Sequence, residues 1–145
     1  MASTPARAVN LALQMAAIKA AIPDARGTIR GGELRCTLTL QPTPVSRNYP
    51  VRIVYRHRCR PRVSVTGPPL ALHPDATKLP HVYPNGDLCL YLPGKWKEHM
   101  LLADTILPWT SAWFLHYELW LVLGFWTGTG DEHAVPSSAS RRSSL

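Results

Sequence analysis

Hydrophobic positions along the chain change period several times, and each change predicts an element. From Ala8 to Ile22 the residues Leu11, Met15, Ile18 and Ile22 recur at helical spacing until Pro23 stops the pattern. This predicts an amphipathic first helix, with its apolar run broken at Asn10, Gln14 and Lys19. Gly31-Gly32 then predicts a turn out of a short strand around Thr28 to Arg30. Leu34, Cys36, Leu38 and Leu40 alternate with Arg35, Thr37 and Thr39, the two-residue period of a half-buried strand with Cys36 facing the core. Pro42, Pro44 and Pro50 mark a loop. Next, Val51, Ile53, Tyr55, His57, Cys59 and Val63 fall on odd numbers, while Arg52, Arg56, Arg58, Arg60 and Arg62 fall on even ones. An extended segment of that pattern has a basic outer face and a core face that includes Cys59, and Pro61 marks an edge, a bulge or a break between two strands.

Gly67-Pro68-Pro69 and the run to Pro80 predict an irregular crossover. Beyond Trp96 a short helix is expected from Lys97 to Leu107, separated by Pro108 from a longer one beginning near Thr110 or Ser111. In that longer helix Trp109, Trp113, Tyr117 and Trp120 fall close to one face, a stripe explained by core burial, and Gly124 supplies the stop. From Thr127 the chain turns to small and polar residues and ends in a Ser/Arg tail expected to be mobile. Helix, antiparallel strands, an irregular segment and then helices predict an α+β domain.

Composition narrows the classes. The chain has 145 residues, 46% hydrophobic and 17% charged, which suits one domain with a proper core. Met100 to Trp126 is the most apolar stretch, but Asp104, Pro108, His116 and Glu118 interrupt it, so a buried helix pair is expected in place of a membrane span. A net charge of +7 attracts nucleic acid, anionic lipid or an acidic protein. The arginine row at Arg52, Arg56 and Arg58 is the candidate partner-binding face, with a solvated outer sheet face as the plain alternative. No RNA-binding aromatic signature accompanies it, so nucleic acid is not expected. Three cysteines with no CxxC pair and no secretory core point to a reducing compartment, the cytoplasm, and away from disulfides and cysteine zinc sites. His73 and Asp75 make no metal constellation with other histidines, and neither metal nor cofactor is expected.

Candidate chemistry concentrates in Pro80-His81-Val82-Tyr83-Pro84-Asn85-Gly86-Asp87-Leu88-Cys89-Leu90-Tyr91, followed by Trp96. The Asn85-Gly86 turn signal would present the Cys89 thiol beside whatever His81 and Asn85 offer. An unperturbed thiol with a pKa of about 8.5 is only slightly ionised at neutral pH, so a catalytic cysteine needs help from such neighbours. Equally, Leu88-Cys89-Leu90 reads as plain core, His81 as a structural histidine and Asn85-Gly86 as a simple turn.

The same residues resemble the active-site segment of the ubiquitin-conjugating-enzyme fold, especially its bacterial branch. Eukaryotic members carry a His-Pro-Asn signature, a variable Gly turn, Ile/Leu-Cys-Leu and a later Trp. Counting back from Cys89, Pro80 falls on the signature proline and His81 on its asparagine, while Leu79 departs from the signature histidine. Ile106-Leu107-Pro108-Trp109, Trp113, Tyr117-Glu118-Leu119-Trp120 and Gly124-Phe125-Trp126-Thr127-Gly128 with His133 resemble landmarks of bacterial proteins found in anti-phage defence operons. The resemblance implies a ubiquitin-conjugating-enzyme-like domain over residues 8–133, between flexible segments at 1–7 and 134–145.

The activity it implies is transthiolation. An exposed Cys89 would accept the carboxyl terminus of another protein as a thioester and pass it to an acceptor amine. His81 would polarise the carbonyl or take the amine's proton, Asn85 would fix the loop or assist the oxyanion, and Asp87 would orient the amine. The implied partners are an ATP-dependent activating enzyme, since this chain shows no adenylating nucleotide loop, and either a ubiquitin-like modifier or the tail of a cyclic-oligonucleotide synthase, a nucleotidyltransferase. The first helix can dock activating or ligating partners in that family. Two other classes remain open: a cysteine hydrolase using Cys89 and a histidine, and a non-enzymatic binding module using the Arg52–Arg62 face.

Overall fold

The computed structural model of the chain describes residues 7–128. His133, the tail at 134–145 and residues 1–6 of the N-terminal segment lie outside the described residues. Helix α1 (Leu11–Ala21) begins where the Asn10 side chain accepts a 2.8 Å hydrogen bond from the Leu13 N–H, satisfying one of the donors a helix start leaves open. Four strands follow, β1 (Arg26–Arg30), β2 (Glu33–Leu40), β3 (Tyr49–Arg56) and β4 (Arg62–Val65), in a purely antiparallel sheet ordered β1-β2-β3-β4. A 3₁₀ turn (Leu102–Asp104) leads into helix α2 (Ile106–Leu123), which stops at Gly124 in the left-handed conformation. Helix α1, the four-stranded sheet and α2 make the α+β architecture, consistent with a ubiquitin-conjugating-enzyme-like fold.

The alternation in the sequence decides which face of the sheet is covered. Leu34, Cys36, Leu38 and Leu40 of β2 and Tyr49, Val51, Ile53 and Tyr55 of β3 are buried, with α1 and α2 on that side. Gly27 lets α1 come close: a Cβ there would sit 2.5 Å from the Met15 side chain. On α2 the ring of Phe114 stacks on Tyr49 at 4.0 Å, and Trp113, Tyr117 and Trp120 complete the aromatic layer. Gln14, an interruption in the helical apolar pattern, is fully buried and has a structural reason to be there. Its amide donates to the Met100 carbonyl at 2.9 Å and accepts from the Leu102 N–H at 2.8 Å, tying α1 to the 3₁₀ turn.

Three expectations are corrected. The expected helix from Lys97 to Leu107 is instead irregular chain and one 3₁₀ turn as far as Thr105; Ile106 and Leu107 already belong to α2, and Pro108 lies inside α2, not before it. As the third residue of that helix its missing N–H is one the first turn would leave unbonded, and the ladder starts one residue later with Trp109 N–H to Thr105 at 2.9 Å. Cys59 is exposed, not core, because β3 ends at Arg56 and the Arg56 carbonyl accepts from the Cys59 N–H at 3.0 Å, turning the chain before the alternation reaches it. The arginine row breaks at the same place. Arg52 and Arg56 lie on the exposed face of β3, Arg56 bonding the Gly31 carbonyl at 3.0 Å and approaching Glu33 at 3.7 Å, whereas Arg58 sits in the turn at a φ of 67°.

Candidate active site

The cysteine segment is a short hairpin. Val82 and Leu88 pair as an isolated antiparallel bridge, with Cys89 N–H donating to the His81 carbonyl at 2.9 Å and Tyr83 N–H to the Asp87 carbonyl at 2.8 Å. Pro84 and Asn85 occupy the centre of the turn, closed by Gly86 N–H to the Tyr83 carbonyl at 2.9 Å, and Gly86 takes a φ of 94° that other residues rarely adopt. The hairpin extends the edge of the main sheet, since Leu88 N–H donates to the Val63 carbonyl of β4 at 2.8 Å.

Side chains fix the turn from within. Asn85 Oδ1 accepts from the Asp87 N–H at 3.0 Å, and Asn85 Nδ2 donates to Asp87 Oδ2 at 2.9 Å. The same carboxylate oxygen stands 3.7 Å from Arg62 of β4. Asn85 and Asp87 are thus brought together and hydrogen-bonded within the turn. From below, α2 holds the other strand: the buried Trp113 indole donates to the His81 carbonyl at 3.0 Å. His81 stands directly across the hairpin from Cys89, at a left-handed φ of 52° and only 7% exposed, with its imidazole 4.6 Å from the Trp126 ring.

The thiol is not exposed. Cys89 is 7% exposed, a correction to the expected open sulfur, and two side chains the sequence reading did not single out stand beside it. The Tyr83 phenol is close enough to the Cys89 thiol to be perturbed by it, and the Arg60 guanidinium lies over the Tyr83 ring, 4.0 Å from its centroid. Burial, and after it the Cys89 thiol, push the Tyr83 phenol above its ordinary range, while Arg60 pulls it the other way. Tyr91 lies behind, its hydroxyl donating to the Pro61 carbonyl at 3.0 Å and its acidity suppressed chiefly by burial. Although buried, Cys89 stands apart from the contiguous apolar core, to which its neighbours Leu88 and Leu90 belong.

The site is thus a fixed hairpin carrying a buried thiol outside the apolar core, with a clamped aromatic helix behind it. The family described as type II CBASS E2 protein matches residues 14–134, which spans all of these elements. The chain belongs to that family. It is an E2-like protein of bacterial anti-phage defence operons, and the family carries a conjugation role with operon partners such as an E1-like protein and a cyclic-oligonucleotide synthase. No curated protein matches the chain.

In this E2-like protein the aromatic landmarks are clasps as well as core. Tyr117 donates to the Ala71 carbonyl at 3.0 Å, Glu118 accepts from Ser46 at 2.8 Å and Tyr49 at 2.7 Å, and Trp96 donates to Thr105 at 3.0 Å. An apolar groove of about 320 Å³, lined by Val65, Leu70, Leu79, Val82 and Leu88, runs beside the hairpin. Among the described residues no helix is long and apolar enough to cross a membrane, and no metal-holding group of His, Cys, Asp and Glu forms. Arg60 and Tyr83 were legible only as a basic row member and a hairpin residue. Their meeting depends on the β3–β4 turn reaching over the hairpin, which no local spacing reports.

Proposed function

We propose that Cys89 carries the carboxyl terminus of a second polypeptide as a thioester and passes it to an amine, within the conjugation role of the family. The observation that carries this reading is the placement of Cys89: a thiol on a hairpin held by Asn85, Asp87, Arg62 and Trp113, outside the apolar core and beside the Tyr83 phenol. In loading, the Cys89 thiolate attacks the carbonyl carbon of an acyl group delivered as a thioester by an ATP-using activating partner. A carbon–sulfur bond forms to Cys89 and the partner's carbon–sulfur bond breaks, releasing its thiolate. In transfer, an amine attacks the new thioester, the carbon–nitrogen bond forms, and Cys89 leaves as thiolate. His81, directly across the hairpin, takes the amine's proton.

The carried polypeptide is the tail of the operon's cyclic-oligonucleotide synthase or a ubiquitin-like modifier, and the thiol chemistry suits the reducing cytoplasm. The protein is incubated with ATP, the activating partner and the synthase, and followed by intact mass. An adduct that reductant or hydroxylamine removes, and that Cys89→Ala cannot form, is expected. A thioester lost to water as fast as to added lysine would make the protein a hydrolase, and an adduct surviving Cys89→Ala would end the reading.

A further inference from the structure

Every acyl transfer at Cys89 passes through a tetrahedral intermediate whose former carbonyl oxygen bears negative charge, and that oxygen needs a donor held in place beforehand. Asn85, the donor expected from sequence, spends its amide on Asp87, and Asp87 is engaged with Arg62. The cation that the structure places on the hairpin's own aromatic ring, Tyr83, is Arg60. Ion pairs among the described residues engage Arg35, Arg56 and Arg62 but not Arg60.

The backbone that presents Arg60 is pinned on several sides. His57 Nε2 lies 3.0 Å from the Val9 carbonyl, the Arg58 N–H donates to the Glu98 carboxylate at 2.9 Å, and the Pro61 carbonyl accepts from Tyr91. Arg60 is itself exposed, so its order has to come from this backbone and from the Tyr83 ring. A guanidinium required to meet a transient charge benefits, because its ordering is then complete before the reaction begins.

We propose that Arg60, seated on the ring of Tyr83, is the catalytic cation that receives the acyl oxygen during transfer to and from Cys89, and that Tyr83 is its positioning residue. The assignment rests on the thioester reading of Cys89. As the acyl group arrives, its carbonyl displaces the Tyr83 phenol from beside the thiol. Attack by the thiolate moves the carbonyl π electrons onto oxygen, opposite the guanidinium, and collapse returns them as the departing thiolate leaves. No proton moves to or from Arg60, which stays charged throughout.

The test separates oxyanion stabilisation from access to the thiol. The probe is a synthetic peptide ending in a mercaptoethanesulfonate thioester, whose transfer to Cys89 is timed by intact mass. Iodoacetamide alkylation of the same cysteine, located by peptide mapping to set aside Cys59, forms no oxyanion and serves as the control. Arg60→Met is expected to slow peptide transfer by about a hundredfold while changing alkylation less than about threefold. Arg60→Lys should recover part of the transfer. Tyr83→Leu should slow transfer but speed alkylation, and adding it to Arg60→Met should slow transfer little further, because the perch acts through the cation. Unchanged transfer in Arg60→Met, or transfer and alkylation falling together, overturns the assignment while leaving Cys89 as carrier. If the unaltered protein acquires no acyl group from the peptide or from its activating partner, the thioester reading fails, and the assignment with it.

Discussion

Cys36 and Cys89 are both buried, at 1% and 7% exposure, and the regions around them teach opposite lessons about burial. Cys36 lies in the regular sheet, between Gly27 of β1 and Ile53 of β3, and is part of the contiguous core. Burial pushes its thiol above the ordinary range, so it stays protonated and acts as a small hydrophobe. Cys89 lies in a hairpin with one isolated bridge, outside that core, beside a phenol that carries a guanidinium on its ring. In the sheet, the buried thiol is one more member of the packed core; in the hairpin, it is buried beside polar side chains and outside that core.

The sharpest way to break this contrast is to exchange its outcomes. Cys89→Ala is expected to abolish the acyl adduct seen by intact mass, with little change in melting temperature. Cys36→Ala should leave adduct formation intact and cost about 1 kcal/mol in urea unfolding, the price of a small cavity. An adduct that depended on Cys36 would erase the distinction.

A smaller effect is expected where the two regions join. Trp113→Phe keeps an aromatic ring in the core but removes the donor to the His81 carbonyl. The lost bond and imperfect filling should cost about 2 kcal/mol, and a loosened hairpin strand should slow adduct formation by about tenfold at unchanged iodoacetamide reactivity.

How much of this was legible in the sequence follows the same division. The strands β2 and β3 announced themselves, because two-residue alternation and a one-sided core are the same fact seen twice. The hairpin was legible from Pro84-Asn85-Gly86, since the turn is local. What local pattern could not show was where contacts between distant segments override it. Gln14 looked like a break in a helix face and is a buried clasp, since its partners, Met100 and Leu102, lie on the far side of the sequence. Cys59 continued an odd-numbered pattern into a turn that had already ended the strand. Arg60 continued the even-numbered one, and only the folded turn puts it over Tyr83.

Two tyrosines of β3 sharpen the account of the regular region. Tyr49 donates to Glu118, whereas the equally buried hydroxyl of Tyr55 has no hydrogen-bond partner among the described residues. Tyr49→Phe should therefore destabilise by about 2 kcal/mol, as a carboxylate loses a donor, and Tyr55→Phe should stabilise by about 1 kcal/mol, as a desolvated hydroxyl is removed. Both are read from urea midpoints, and equal signs would refute the contrast. Burial first of all raises the phenols of Tyr49, Tyr55, Tyr91 and Tyr117 in the folded protein, that of Tyr55 to about 12. A group raised on folding contributes its full stability below its unfolded value of about 10 and loses it as pH climbs through the folded one. Alkaline unfolding above about pH 10 should accordingly coincide with the rise of phenolate absorbance, and Tyr55→Phe should shift it upward.

The smallest effect is expected at Arg58, on the turn that carries Arg60. Its φ of 67° costs a side-chain-bearing residue about 1 kcal/mol or more, a cost glycine escapes in the folded state while losing some of the gain to its freer unfolded chain. Arg58→Gly should therefore raise stability by about 0.5 kcal/mol, because the backbone N–H that bonds Glu98 is retained. If the turn serves only to present Arg60, the relieved strain should leave peptide-thioester transfer unchanged within about twofold. A gain in stability accompanied by a large loss of transfer would mean that the strained geometry, or the Arg58 side chain itself, is part of how the turn meets its partner. The exposed row at Arg52 and Arg56 would then have to be rejoined to the Cys89 hairpin, from which the folded turn separates it.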